Sequence, residues 1–296
     1  MVTLRGKSIN LFLMDGVPTG RIKSTLANWT GVAYRIPRTE LEKCKGRDDL
    51  SQSGVYFLFG ISEQTGEDVV YVGQAGVRKN GEGILYRLQE HKRNPDKDYW
   101  TEAVVFTTSN NSFGPTEISY LENRFCTLAM NAKRYLVKNG NEPTSGNITE
   151  EKESELEEFI DYAKIVMGTL GHKVFEPIVV QTTTSVSIPV VTSNEPIFYL
   201  STSKASAKGR RTNEGFVVLK GSTVAASPTK SCPDTIQRLR ELYAERIDTN
   251  CALIEDTLFR SPSAAAGFIS YGSANGLIMW LTDDKKTLKD MENSDR

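Results

Sequence analysis

The stretch 54-GVYFLFGISEQTGEDVVYVGQ-74 decides how the first half of this 296-residue chain is read. Residues 54–60 (GVYFLFG) and 69–73 (VVYVG) are rich in β-branched and aromatic residues, the composition of strands. The polar segment ISEQTGED between them carries turn chemistry, so a hairpin is expected. Such a hairpin places Tyr56 and Tyr71 in paired strands, where two phenols can converge on one face. Working outward, residues 83–93 read as a helix with Leu85 and Leu88 on one side, and residues 103–108 (AVVFTT) read as a third strand. Residues 116–131 carry Ile118, Leu121, Phe125 and Leu128 at intervals of three and four, which predicts an amphipathic helix. Residues 149–170 predict a second long helix. Thr149 is suited to cap it, Glu150 and Glu151 suit its first turn, and Gly171 suits its stop.

On this basis the chain is expected to be α/β (α+β) with two domains. Residues 1–50 read as an N-terminal extension, and residues 51–176 as a small mixed β-sheet flanked by helices and buttressed by the 149–170 helix. Residues 177–195, almost uncharged and rich in Thr, Ser and Val, read as a linker. Residues 196–296 read as a smaller α+β domain. Within it, strands are expected at 197–201 and 215–220, a helix at 234–246 with Ile236, Leu239, Leu242 and Tyr243 facing inward, and a short helix capped by Ser261-Pro262. A closing strand is expected at 277–281, with a frayed tail after it. The run Lys208–Arg211 (KGRR) reads as a loop.

Composition narrows the function classes. Hydrophobic residues make up 39% and charged residues 25%, ordinary for a globular protein. No apolar run reaches the roughly 18 residues that a membrane span requires, and no signal peptide is read at the N-terminus. Cys44, Cys126, Cys232 and Cys251 are scattered, and the two histidines are His91 and His172, so a Cys/His zinc site is not expected. Reduced thiols point to a cytoplasmic protein. A catalytic metal would sit on carboxylates and be a hard ion. Net charge is −1, but residues 148–176 alone carry 3 Lys and Arg against 8 Asp and Glu. Residues 1–147 carry 19 against 16, a mildly basic balance that permits phosphate binding.

Six residues stand out: Tyr56, Tyr71, Gly73, Arg87, His91 and Glu122. Arg87 and His91 are four apart on one expected helix face. Glu122 lies beside the apolar stripe of the next helix. Phenols, a guanidinium, an imidazole and a carboxylate together suit phosphodiester cleavage, which needs a base, positive charge on the phosphate and a metal near the leaving oxygen. Glu117 is the rival carboxylate but lies near the helix start, where acids are favoured anyway. His172, next to Gly171, is expected to end a helix without chemistry.

At these positions the sequence resembles the GIY-YIG nuclease family. Gly54-Val55-Tyr56 and Tyr71-Val72-Gly73 resemble its two triplets, each with Val for Ile. Arg87 and His91 match its helix pair, Glu122 in SYLENRF its metal-binding Glu, and Asn139 in YLVKNGNEP its late Asn, with Asn131 the other candidate. The resemblance covers about residues 54–140. It departs in the longer spacing between the triplets and in Gln74, which stands where the family has a basic residue; Arg78 or Lys79 is expected to substitute. The leader INLFLMDGVPTG and the segment FRSPSAAAGFISYGSANGLIMW resemble a bacterial subgroup in which a domain of uncharacterised function follows the nuclease. That segment is also similar to a module attached to restriction and adenine-methylation enzymes.

The resemblance implies a metal-dependent endonuclease acting on DNA. Tyr56, or a water it activates, would begin the attack. Tyr71 and His91 would relay or position protons, Arg87 would stabilise phosphate charge, and Glu122 would hold one Mg2+ or Mn2+. The alternatives are a catalytically idle nucleic-acid-binding adaptor and an RNA nuclease. For the second domain the expectation is DNA recognition, with Lys204, Lys208, Arg210 and Arg211 on phosphates and Tyr271 and Trp280 near bases. The competing reading places Trp280 in the core.

Overall fold

A computed structural model describes residues 6–63, 66–78, 82–140, 148–177 and 196–294. The chain is mixed α+β and divides into two compact units, Met1–Pro177 and Ile178–Arg296. The linker expected at 177–195 lies, from residue 178 on, outside the described residues.

The first unit is built on a seven-stranded sheet: β1 (Ile9–Leu13), β2 (Ile22–Leu26), β3 (Gly31–Pro37), β4 (Gly54–Ile61), β5 (Asp68–Ala75), β6 (Trp100–Thr108) and β7 (Leu136–Val137). Their spatial order is β1-β2-β3-β6-β4-β5-β7. Neighbours are antiparallel except β5 and β7, which run parallel over Val69 and Val70. The expected hairpin forms with Tyr56 opposite Gly73 and Leu58 opposite Tyr71. The first fifty residues are not an extension. They supply β1, β2 and β3, and β3 pairs along its length with β6, Gly31 opposite Thr108.

Both faces of this sheet are covered. On one side α2 (Pro115–Ala132) and α3 (Glu150–Thr169) bury Ile118, Leu121, Phe125, Phe159, Ile160 and Val166 against Val55, Phe57, Val72 and Phe106. Each such side chain contributes about 1.5–3 kcal/mol on burial. Thr149 caps α3 by accepting from Lys152 N at 3.4 Å, and Gly171 ends that segment with φ +100°. On the other side α1 (Ile84–Arg93) and a 3-10 segment, Arg38–Cys44, pack Ile84, Leu88 and Leu41 against Tyr56, Leu58, Tyr34 and Val105. His172 does not merely end a helix. Its ring stacks on Phe59 at 3.7 Å and its Nε2 lies 2.8 Å from Glu102 Oε1.

The second unit has a four-stranded antiparallel sheet, order β11-β10-β9-β8, made of β8 (Ile197–Ser201), β9 (Ser206–Thr212), β10 (Gly215–Val218) and β11 (Thr257–Phe259). Its helices are α4 (Asp234–Leu242), α5 (Pro262–Ser270), α6 (Gly276–Met279) and α7 (Leu288–Ser294). Ser261 caps α5 through Ala264 N, as its Ser-Pro start predicts. Four expectations change. Lys208–Arg211 lie in β9 rather than a loop, because Phe216 of β10 packs over Gly209 and makes the segment strand-like. Residues 277–281 form most of α6 and isolated bridges from Leu281 to Tyr199 and Thr287 instead of a strand. The tail carries α7, anchored by buried Leu288. In α4 the inward face holds Ile236 and Arg240, while Leu242 is 61% exposed.

Candidate active site

The site forms at the edge of β5. Beyond Val70, β7 no longer pairs with that strand, and Asn139 takes over the pairing. Its Oδ1 accepts from Val72 N at 3.0 Å and its Nδ2 donates to Val72 O at 2.8 Å. Asn139 thus completes the strand between Tyr71 and Gly73 and engages both amide atoms in doing so. Alternation along β5 sends Tyr71 and Gly73 to the α1 side of the sheet and Val72 and Gln74 to the α2 side. Groups carried by the two helices therefore meet around this one edge.

Tyr56 is 1% exposed and points across β5 over Gly73. Gly73 is required here: a Cβ at that position would collide with the Cζ and hydroxyl of Tyr56. The Tyr56 hydroxyl lies 2.7 Å from His91 Nε2 of α1. The ring centroids of Tyr56 and Tyr71 are 6.4 Å apart, and those of Tyr71 and His91 are 5.5 Å apart. Half-buried Tyr71 packs against buried Tyr56 and buried His91, so the three rings form one cluster.

Burial governs the electrostatics. It pushes the Tyr56 phenol well above its ordinary range, with Tyr71 adding to the rise and Arg87 opposing it. Burial also raises Tyr71, with Glu122 reinforcing and Arg87 opposing. It pulls His91 down to about 3, and the charges of Lys97 and Arg87 add to the effect, so the imidazole is neutral at physiological pH. The Tyr56 hydroxyl therefore meets an uncharged imidazole, whose tautomer sets which of the two donates. Nearby positive charge does not by itself make Tyr56 a phenolate, because desolvation outweighs Arg87.

Arg87 extends from α1 and donates from Nη1 to Glu90 Oε2 at 2.7 Å. Glu90 also accepts from Arg78 Nη2 at 2.9 Å, so one carboxylate ties the segment after β5 to the arginine of α1. Glu122 of α2 accepts from Gln74 Nε2 at 2.9 Å, and Gln74 also donates to Ser119 at 3.1 Å. Burial raises the Glu122 carboxyl, while Gln74 and Arg87 pull it down. Glu117, by contrast, accepts from Gly114 N at 3.1 Å and caps the start of α2.

Two participants are not evident from sequence. Gln74 is the hydrogen-bond partner of Glu122. Lys97, on a 3-10 turn (Pro95–Lys97) after α1, places its Nζ 3.2 Å from the centroid of the Tyr71 ring. Of the basic residues expected to follow the second strand, Arg78 stacks on Tyr86 at 4.7 Å and Lys79 lies outside the described residues. The sequence signal for Lys97 is its turn: Asn94 accepts from Asp96 N at 2.9 Å and Pro95 opens the turn, a local Asn-Pro-Asp-Lys pattern.

In the second unit the aromatic residues expected near bases are engaged elsewhere. Trp280 is fully buried, and its Nε1 donates to Pro262 O at 3.0 Å. The guanidinium of Arg240 covers the ring of Tyr271 at 4.3 Å.

Residues 198–292 match the model of a family described as a domain of unknown function, DUF4357. No curated protein and no solved structure matches the chain. Among the described residues, no helix is long and apolar enough to cross a membrane.

Proposed function

We propose that the first unit is a GIY-YIG-type endonuclease that hydrolyses phosphodiester bonds in DNA. The observation that carries this reading is the cluster of Tyr71, Tyr56 and neutral His91 set between Arg87 on α1 and Glu122 on α2. Hydrolysis needs a route for the proton of the attacking water, and the cluster supplies one. As the water oxygen bonds to phosphorus and the bond to the 3′ oxygen breaks, the water proton passes to the phenols and, with His91 in the tautomer that leaves Nε2 unprotonated, the Tyr56 proton passes to that nitrogen. Arg87 balances the charge that builds on the phosphate oxygens.

Glu122 suits a hard divalent ion. Its carboxyl is half-buried and oriented by Gln74. Among the described residues no group of three or more His, Cys, Asp or Glu can enclose a metal. An ion bound through one carboxylate, with water and substrate oxygens completing its shell, is the arrangement magnesium accepts. When bound, Mg2+ or Mn2+ supplies positive charge for the departing 3′ oxygen.

The test is incubation of the full chain with supercoiled, linear, branched and single-stranded DNA, and with RNA, each with and without magnesium or manganese. Metal-dependent cleavage of DNA is expected. Cleavage of RNA alone would replace the substrate class, and the absence of any cleavage would overturn the reading in favour of a binding adaptor.

A further inference from the structure

An ammonium group carries three donors and is strongly hydrated, so lysines at surfaces normally extend their heads into water. Lys97 does not. Its side chain is half-buried, and its Nζ lies on the face of Tyr71, 3.2 Å from the ring centroid. Among the described residues it makes no hydrogen bond and no ion pair. The turn that carries it is fixed from several sides. Asn94 O accepts from Lys97 N at 3.1 Å, and the guanidinium of Arg38 donates to Asp98 O at 2.8 Å and to Lys92 O at 3.2 Å. The placement of Lys97 thus comes from a braced backbone rather than from an acidic partner.

Its surroundings are short of negative charge. Arg87 is close enough to disfavour the Lys97 ammonium, His91 is neutral, and Glu122 is the carboxylate that favours it. Burial acts first and Arg87 second, and together they draw Lys97 down to about 8. Cation–π contact with Tyr71 replaces part of the lost hydration, but it uses none of the three N–H donors in a conventional hydrogen bond. An anion seated between Lys97 and Arg87 would give Lys97 a partner and share Arg87 with Glu90. A phosphodiester fits that demand, with two non-bridging oxygens and one negative charge, and it would lie beside the phenol of Tyr71.

We propose that Lys97 is a phosphate-binding residue of this site, its ammonium contacting one non-bridging oxygen of the scissile phosphate while Arg87 takes the other. The assignment rests on the nuclease reading for the word scissile, but anion binding between the two cations does not depend on turnover. It also accounts for Gln74: the basic residue comes from the turn after α1 rather than from the end of β5.

The test uses the full chain and thymidine 3′,5′-bisphosphate as the probe, with affinity measured by calorimetry for wild type, Lys97→Met, Lys97→Arg and Lys289→Ala. Met keeps the aliphatic stem on the Tyr71 ring, and circular dichroism checks the fold. A charge-assisted contact of this kind implies about tenfold or greater weakening in Lys97→Met. Lys97→Arg is expected to restore most of the affinity, and Lys289→Ala, at an exposed position of α7, to leave it unchanged. In parallel, single-turnover DNA cleavage should fall in Lys97→Met and recover in Lys97→Arg. Bisphosphate binding that depends on Lys97 in a protein that cuts no nucleic acid would support the anion site and overturn the nuclease reading. Wild-type affinity and wild-type cleavage in Lys97→Met would overturn the proposal and leave the nuclease reading in place. No binding of the bisphosphate to wild type at millimolar concentration would overturn it as well.

Discussion

Each unit of this protein buries polar or charged side chains, and the two burials differ in kind. In the second unit Arg240 is 8% exposed. Its guanidinium lies over the rings of Phe268 at 5.1 Å and Tyr271 at 4.3 Å and donates to the carbonyl of Ala225. One cation is packed by its neighbours, and the contacts are those of a core. In the first unit Tyr56, Tyr71, His91, Glu122 and Lys97 come from five separate elements, β4, β5, α1, α2 and a 3-10 turn, and all but His91 act on the ionisation of another. A lone buried charge surrounded by rings and a carbonyl is architecture. A convergent set with mutually shifted protonation is a site for chemistry. The comparison makes claims that can be broken, beginning with Glu122. Glu122→Gln keeps the size and the hydrogen-bonding capacity of the side chain but removes its charge. Cleavage in magnesium is expected to fall by about a thousandfold or more, since metal charge stabilisation amounts to several kcal/mol, while circular dichroism stays as in wild type. Cutting at the wild-type rate would remove Glu122 from the site.

The next effect concerns the packing that holds the site together. Gly73 faces Tyr56 across the β4–β5 ladder with no room for a Cβ. Gly73→Ala must displace the phenol or the strand, at about 1–3 kcal/mol of overpacking, and must disturb the 2.7 Å contact with His91. A loss of cleavage of about tenfold to a hundredfold is expected. Gly76→Ala is the control, because its Cβ would meet only Ile118 Cδ1, at an ordinary 3.7 Å. Equal activity in the two variants would mean that the Tyr56 position is unimportant.

Much of this was legible in the sequence where a local period or a short motif carried it. The stripes of α2 and α3, the capping Thr149 and Ser261, and the β4–β5 hairpin all follow from neighbouring residues. Tyr56, Tyr71, Arg87, His91 and Glu122 follow from the hairpin and the two helices, and the structure brings them to one edge. What stayed hidden depends on distant partners. Membership of β1, β2 and β3 in the sheet is decided by the pairing of Gly31–Pro37 with residues more than sixty positions away. The KGRR segment becomes a strand because Phe216 needs Gly209 beneath it. Leu242 turns outward while Ile236, Leu239 and Tyr243 keep their inward packing, and Arg240 is buried where two aromatic rings receive its guanidinium. Lys97 was missed for a related reason. A three-residue turn has no periodicity, and its proximity to Tyr71 arises only when α1 packs back on the sheet.

The neutrality of His91 has a pH signature that Arg240 lacks. The imidazole is drawn down to about 3 in the folded protein, by burial first and then by Lys97 and Arg87, against about 6.5 in the unfolded chain. Between those values the unfolded state binds a proton that the folded state does not. Stability is therefore fully present above about pH 6.5 and declines as pH falls, by up to about 1.4 kcal/mol per pH unit from this group. Amide exchange in β4 and α1 of the full chain, measured from pH 7 to pH 5 and corrected for intrinsic exchange rates, should show protection falling faster in wild type than in His91→Gln. Parallel curves would show that His91 is not held neutral.

The smallest expected effect is at Arg240, and it tests the other half of the comparison. Arg240→Met removes the guanidinium but leaves a flexible side chain of similar length to lie against Phe268 and Tyr271. Two contributions oppose each other. The carbonyl of Ala225 loses its donor, and an unsatisfied buried acceptor costs about 1–3 kcal/mol. The desolvation of a cation also disappears, and here that penalty is appreciable: burial is the leading influence on Arg240, its Nη1 is buried without a hydrogen-bond partner, and no carboxylate acts on it. Replacing a buried charge by an apolar side chain of similar volume is often close to neutral. Local stability of α4 and α5, read by amide exchange in the full chain, should stay within about 1 kcal/mol of wild type, and cleavage should not change. Under the proposed function the first unit is expected not to tolerate such an exchange, because there the charge would act on the substrate. If Arg240→Met abolished cleavage while leaving α4 and α5 protected, the buried cation of the second unit would belong to the chemistry, and the division between the two units would fail.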